Sequence, residues 1–67
     1  MTLKDLWESK GLSATEVAGK AGITTPTLYR MNRKEKKVHA RNIVKVCEVL
    51  SITREHYNEL EADTTND

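Results

Sequence analysis

The segment from Ser13 to Met31, SATEVAGKAGITTPTLYRM, places the strongest constraint on the fold of this chain. Its apolar residues recur at helical spacing on either side of Gly22, which predicts two short helices joined by a tight turn. Two helices that cross at a steep angle need a small side chain at the crossing and a left-handed residue at the turn. Ala18 and Gly22, four residues apart, supply both. The segment therefore predicts a steeply crossed helix pair.

The rest of the chain also shows helical spacing and no strand pattern, so we expect a compact all-α fold of five helices. A threonine or serine followed three residues later by an acid marks the first two helix starts. Because a proline disfavours helical backbone at the residue before it, Thr25 is the expected cap of the third helix, with Pro26 at the first helical position. Counting their caps, the five helices are expected at Thr2–Lys10, Ser13–Ala21, Thr25–Asn32, His39–Leu50 and from Thr53 to about Leu60. We expect one domain over residues 1–61 and a disordered acidic tail over residues 62–67.

Cysteine, histidine and hydropathy exclude several classes of protein. The chain has 67 residues and one cysteine, so it forms no intramolecular disulfide, and we expect Cys47 to be a small buried hydrophobe. Neither histidine has a second ligand at metal-binding spacing, and no motif joins a nucleophile to a base. We therefore expect no metal, no cofactor, no small-molecule ligand and no enzymatic activity. No apolar run approaches the ~20 residues that span a bilayer, and the N-terminus lacks a signal-peptide core, which predicts a cytoplasmic protein without membrane contact.

The net charge of +1 conceals a strong asymmetry along the chain. Residues 1–29 are balanced, residues 30–45 hold seven basic side chains against one acid, and residues 46–67 hold six acids against one arginine. Such a distribution is typical of a polyanion-binding edge with the opposite end turned away. A solvated charge run without a partner is the alternative. The basic segment directly follows the crossed helix pair, which favours polyanion binding.

The chain resembles the lambda-repressor-like (Cro/C1, or XRE) family of helix-turn-helix DNA-binding domains over about residues 2–60. LSATEVAGKAGITTPTLYRM matches the helix-turn-helix motif of helices 2 and 3, and HARNIVKVCEVLSITREHYNEL matches the closing helices. The family places alanine at the helix crossing, glycine at the turn, and aliphatic residues after the turn and inside the third helix. The corresponding residues here are Ala18, Gly22, Ile23, Leu28 and Met31.

Three positions depart from the family pattern. Ala14 replaces a glutamine that often contacts a DNA phosphate, so that contact is lost or is taken over by Thr15. Lys34 replaces the glycine that often follows the third helix. Pro26 occupies a position that often bears a base-reading polar side chain, and it offers only apolar contact, for instance to a thymine methyl.

The resemblance implies that the third helix enters the major groove of double-stranded DNA and reads base edges. With Leu28 and Met31 facing the core, the opposite face carries the candidates for base readout, namely Thr25, Pro26, Tyr29 and Arg30. Arg30 is the main candidate because its planar fork can bond O6 and N7 of a guanine together.

Further residues are expected to hold the DNA backbone or a second copy of the chain. Phosphate contacts fix the register without reading sequence and make the affinity fall with salt. The candidates for backbone contact are Thr15, Thr24, Thr27, Arg33, Lys34, Lys36, Lys37 and Arg41. Relatives often pair through their C-terminal end, which implies a homodimer, and an apolar patch there would consist of Val44, Val49, Tyr57 and Leu60. The alternative for these four is a broad core stripe.

Together these features predict a transcription regulator that binds an inverted-repeat operator as a dimer, by family analogy a phage, prophage or bacterial Cro/C1-type repressor. Blocking polymerase is the simplest mechanism, and activation through the acidic C-terminal helix is an alternative. A protein-interaction module of antitoxin or anti-repressor type on the same scaffold is the rival function. Such a module has no need for a cluster of basic side chains beside the third helix.

Overall fold

The computed structural model describes residues 1–64, and these residues fold into five α-helices with a single isolated bridge between Thr2 and Glu61. This confirms the predicted all-α, five-helix fold. The helices are α1 (Leu3–Ser9), α2 (Ala14–Ala21), α3 (Thr25–Asn32), α4 (Ala40–Leu50) and α5 (Arg54–Glu59). None of the helices in this described part is long and apolar enough to cross a membrane.

Hydroxyl side chains cap the starts of four of the five helices found in residues 1–64. α1 and α2 each begin with the predicted capping box, in which the cap hydroxyl and an acid three residues later bond each other's backbone amides. α3 begins one residue earlier than predicted, because the hydroxyl of Thr24 accepts from the Thr27 amide and Thr25 is already helical. Pro26 then lies at the second helical position, where its missing N–H costs nothing because the first four helix amides have no intrahelical acceptor.

Helices α1 to α4 end in the same way, with one residue in left-handed backbone conformation and a hydrogen bond that closes the last turn. The left-handed residues are Gly11, Gly22, Lys34 and Ser51, with φ between 56° and 73°. In each case the amide of the following residue bonds the carbonyl five positions back at 3.0 to 3.1 Å, which defines a Schellman motif. Two of these positions are thus occupied by residues that adopt this conformation at a cost.

The core is built from the inner faces of all five helices. Trp7, Leu28 and Met31 are almost completely buried, and α2 packs chiefly on α4. The small side chains of Ala18 and Ala21 lie buried on the inner face of α2, where they permit close approach of the neighbouring helices. The predicted apolar face of α4 is confirmed, since Val46, Cys47 and Leu50 are buried and Ile43 is partly buried.

The two ends of the described chain meet at the C-terminal end of α3. The buried side chain of Asn32 accepts from the Lys4 amide at 2.9 Å and donates to the Asp63 carboxylate at 2.8 Å. The Asp63 amide also donates to the Asn32 carbonyl at 2.9 Å. Within the expected tail over residues 62–67, Asp63 thus makes two hydrogen bonds with Asn32. Residues 65–67 of that tail lie outside the described residues.

Candidate nucleic-acid interface

Helix α3 exposes one face while the core holds the other. Leu28 and Met31 are fully buried, and Pro26 and Arg30 on the opposite side are exposed. Thr25 and Tyr29, the other two candidates for base readout, are partly exposed. The structure therefore places all four candidates on the outer side of a helix whose inner side is anchored.

Tyr29 belongs partly to the packing of the fold. Its ring meets the ring of Trp7 on α1 edge to face, with centroids 6.0 Å apart and an interplanar angle of 77°. This geometry is the preferred arrangement of two aromatic rings and adds to the stabilisation from burial. Trp7 itself is 1 % exposed, so it fixes the ring of Tyr29 beside the exposed face of α3.

The threonines at the start of α3 bond each other. The Thr24 hydroxyl accepts from the Thr27 amide at 3.4 Å, and the two hydroxyls lie 2.9 Å apart. Both residues are candidates for backbone contact, and their hydroxyls lie at the exposed N-terminal end of α3. Thr15, the candidate on the neighbouring helix α2, is exposed.

Lys34, a candidate for contact with the DNA backbone, also makes contacts within the fold. Its ammonium group lies 3.7 Å from the centroid of the Tyr57 ring and donates to the Tyr57 carbonyl oxygen. Partial burial lowers the pKa of Lys34, whereas the negative charge of the nearby Cys47, in its thiolate form, raises it. The side chain thus joins the end of α3 to α5, and a contact of Lys34 with the DNA backbone would compete with these bonds.

Arg33 and Glu35, at the end of α3, form an ion pair. The Arg33 Nε donates to a Glu35 carboxylate oxygen at 2.6 Å, and both side chains are a little under half exposed. Glu35 was not among the residues that the sequence indicated as functional. The available signal was that it is the one acid among residues 30–45.

The remaining basic candidates surround the start of α4. Lys36, Lys37 and Arg41 are all exposed, and His39 occupies the cap position without making a side-chain capping bond within residues 1–64. The first amides of a helix carry a partial positive charge and readily accept an anion. A helix start without a side-chain cap and near three cations is therefore suited to binding a phosphate group. The sequence held a signal for this site, because no Ser, Thr, Asp or Asn precedes Ala40 at the cap position.

The expected apolar patch at the C-terminal end is not formed. Tyr57 and Leu60 are 4 % and 7 % exposed and belong to the core, and the Tyr57 hydroxyl donates to the Met31 carbonyl at 3.3 Å. Val44 remains 44 % exposed and Val49 is partly buried. Five residues apart on one helix, these two valines point about 140° away from each other, so they do not share a face.

Cys47 lies in the seam between α4 and α5, as a small buried residue should. It is 5 % exposed, and its Sγ lies 3.9 Å from the Thr53 carbonyl oxygen. Burial raises the pKa of the Cys47 thiol, and the nearby Arg54 and Lys34 charges act in the opposite direction. Among residues 1–64 no three histidine, cysteine or acidic side chains come together as a metal site.

Comparisons with known proteins identify the family to which the chain belongs. Neither the curated proteins nor the solved structures give a match. A family model described as Cro/C1-type HTH DNA-binding domain matches residues 1–63, nearly the whole chain. That family is defined by DNA binding and is not an enzyme family. The chain therefore belongs to the family of Cro/C1-type HTH DNA-binding domains and binds DNA.

Proposed function

We propose that this domain is a sequence-specific transcription regulator that reads the major groove with α3. The observation that supports the proposal best is the exposed face of α3, where Arg30 stands free of the core beside Thr25, Pro26 and Tyr29. An arginine that bonds O6 and N7 of one guanine discriminates against the wrong base by ~1–3 kcal/mol. Pro26 adds an apolar contact suited to a thymine methyl.

Backbone contacts hold α3 in register. Besides Lys34, whose ammonium group is engaged with Tyr57, the candidates are Thr15, Thr24, Thr27, Arg33, Lys36, Lys37 and Arg41. The hydroxyls and cations lie at the starts of α2, α3 and α4 and in the segment between α3 and α4. The uncapped start of α4 offers backbone amides to the same phosphates. Each neutralised phosphate lowers the slope of log affinity against log salt by about 0.9.

The regulator acts in the cytoplasm as a Cro/C1-type repressor that occupies an inverted-repeat operator as a dimer. Two-fold symmetry would place one α3 in each of two successive major grooves, ~34 Å apart. Of the four apolar side chains expected at the dimer contact, only Val44 and Val49 remain accessible, and Val44 is the more exposed. A small contact of this kind favours association on DNA over a stable dimer in free solution.

The test is selection of bound duplexes from a random pool at moderate salt, with Arg30→Ala as the reading-helix variant. Arg54→Ala, which removes the same charge from α5, is the matched control. We expect an inverted repeat that the Arg54→Ala control also recovers and Arg30→Ala loses. A single half-site would retain the reading role of α3 and remove the dimer. Enrichment that is indifferent to Arg30, or none, would overturn sequence-specific regulation and favour a protein-interaction module.

A further inference from the structure

The end of α3 differs from the other Schellman ends among the described residues in one position. In α1, α2 and α4 the residue after the left-handed position is Leu12, Ile23 or Ile52, and each packs against the core. An apolar residue is usual there, because it contacts the last turn of its own helix. In α3 the same position is occupied by Glu35, which is exposed.

The backbone around Glu35 is fixed on both sides. The Glu35 amide donates to the Arg30 carbonyl at 3.1 Å, and Lys34 before it is tied to α5 through Tyr57. Glu35 is thus held at the end of the DNA-reading helix, with its carboxylate 2.6 Å from the Arg33 Nε. It is also the only acidic residue among residues 30–45, which carry seven basic side chains.

Folding does not account for the pair. An ion pair between two exposed side chains contributes about 0–1 kcal/mol to stability. An arginine that holds a carboxylate, by contrast, must release it before its guanidinium can bond a phosphate with the same donors. The released carboxylate then stands within a Debye length of the DNA backbone and repels it.

We propose that Glu35 is an internal competitor for DNA phosphate at Arg33. Glu35 weakens the contact of Arg33 with DNA of any sequence, and so leaves a larger share of the binding to the base-reading side chains of α3. The inference rests on the proposed interface. It concerns the regulation of backbone affinity there, and it does not depend on the operator sequence or on the oligomeric state.

The experiment is titration of a duplex without a selected site by the Glu35→Gln variant across a salt series. The amide keeps the size of the side chain and removes its charge. We expect affinity to rise roughly threefold to tenfold at low salt, and the salt slope to steepen by a fraction of the ~0.9 that one full phosphate contact contributes, because Arg33 is freed from competition for its phosphate. Glu59→Gln on α5 is the control, because it makes the same change in net charge on another helix.

A double-mutant cycle with Arg33→Gln isolates the pair. In the Arg33→Gln background, Glu35→Gln should raise affinity less than it does in the wild-type chain, because it then removes only the repulsion by the carboxylate, and the salt slope should not steepen. An equal gain from Glu35→Gln with and without Arg33, or equal effects of the two glutamate variants in the wild-type chain, would overturn the proposal.

The two proposals fail in different ways. If Arg30→Ala leaves selection unchanged while the cycle shows coupling, the reading role of α3 falls and the role of Glu35 stands. Failure of the wild-type chain to bind any duplex at low salt would contradict both proposals. A thermal melt of each variant checks that the fold is retained.

Discussion

Lys34 and Ser51 occupy left-handed backbone positions that favour glycine, with φ of 57° and 56°. A side chain in this conformation costs roughly 1–2 kcal/mol, because its Cβ approaches the following carbonyl oxygen. Ser51 is exposed, whereas Lys34 gains contacts with Tyr57 that offset the cost. We therefore expect the substitution of Ser51 by glycine to raise the stability of the domain, and the substitution of Lys34 by alanine to lower it.

Replacing Ser51 by glycine should stabilise the domain by ~0.5–1 kcal/mol. Glycine removes the backbone strain at the end of α4 but brings additional freedom to the unfolded chain, which limits the gain. Urea unfolding of Ser51→Gly beside Ser51→Ala measures the effect, since alanine keeps the strain and should give no gain. Equal stability of the two variants would show that the left-handed position is not strained.

Replacing Lys34 by alanine should destabilise the domain by ~1–2 kcal/mol, because the strain remains while the contacts with Tyr57 disappear. Lys34→Gly should lie between alanine and the wild type. The salt slope of DNA binding should be unchanged, since the Lys34 ammonium faces α5. Lys36→Ala provides the comparison. Its salt slope should be less steep by about 0.9, because one phosphate contact is lost, and its stability should change little. The interpretation fails if Lys34→Ala changes the slope as Lys36→Ala does.

At the scale of elements, the helices could be predicted because each depends on local signals. Cap hydroxyls, Gly11 and Gly22 define the boundaries of α1 and α2, and periodicity defines the buried face of α4. The exposed face of α3 followed from the same spacing. These features need no knowledge of the partner helices.

Contacts between distant elements could not be predicted from the sequence. The sequence left Tyr57 either in an apolar surface patch or in a broad core stripe, and its burial depends on Lys34 and Met31 from the other half of the chain. The charge of Lys34 indicated contact with DNA, and its contact with Tyr57 on α5 had no signal in the sequence. Glu35 likewise has meaning only through Arg33, whose guanidinium it reaches because of the way α3 ends.

Two buried ionisable groups between α4 and α5, the Cys47 thiol and the Tyr57 phenol, should make the domain less stable at alkaline pH. Burial raises the pKa of the Cys47 thiol, and burial together with Cys47 raises that of the Tyr57 phenol. From about pH 8.5 upward the unfolded chain loses protons that the folded chain keeps, so the free energy of unfolding falls as pH rises. The lowered pKa of Lys34 has the opposite sign and offsets part of this fall.

Urea unfolding between pH 7 and pH 10, with reductant present, measures this dependence. Cys47→Ala removes the thiol titration, so its stability should fall less steeply above pH 8.5 than that of the wild type, whatever its stability at pH 7. The same slope in both proteins would contradict the role of Cys47.

At the scale of the whole molecule, the charge asymmetry gives the domain a direction. The basic side chains of residues 30–45 begin on α3, the proposed reading helix, and continue after it. Five of the six acids of residues 46–67 lie in the described part, on α4, on α5 and after it. Overall dimensions of 24 × 23 × 20 Å keep these acids within a few Debye lengths of bound DNA. Binding is therefore favoured when the basic side faces the phosphates and the acidic side faces away.

Asn32 joins the two ends of the described chain to α3, and this makes the fold sensitive to one buried amide. Removing a partner from such a network leaves the other polar groups unsatisfied, at ~1–3 kcal/mol. Asn32→Ala should therefore destabilise the domain by about 2 kcal/mol, and Asp63→Ala by about 1 kcal/mol, since the Lys4 amide keeps its acceptor in the latter.

The double variant tests whether these bonds act as one unit. Because both substitutions break the same bond between Asn32 and Asp63, the double variant should lose clearly less stability than the sum of the two single variants. Urea unfolding of the four proteins measures the coupling, with Thr64→Ala as a neutral control beside Asp63. Strict additivity would show that the two residues act independently and that the ends of the chain are not coupled through α3. The non-additive result would mean that the chain ends stabilise α3, the helix proposed to read DNA, through the buried amide of Asn32.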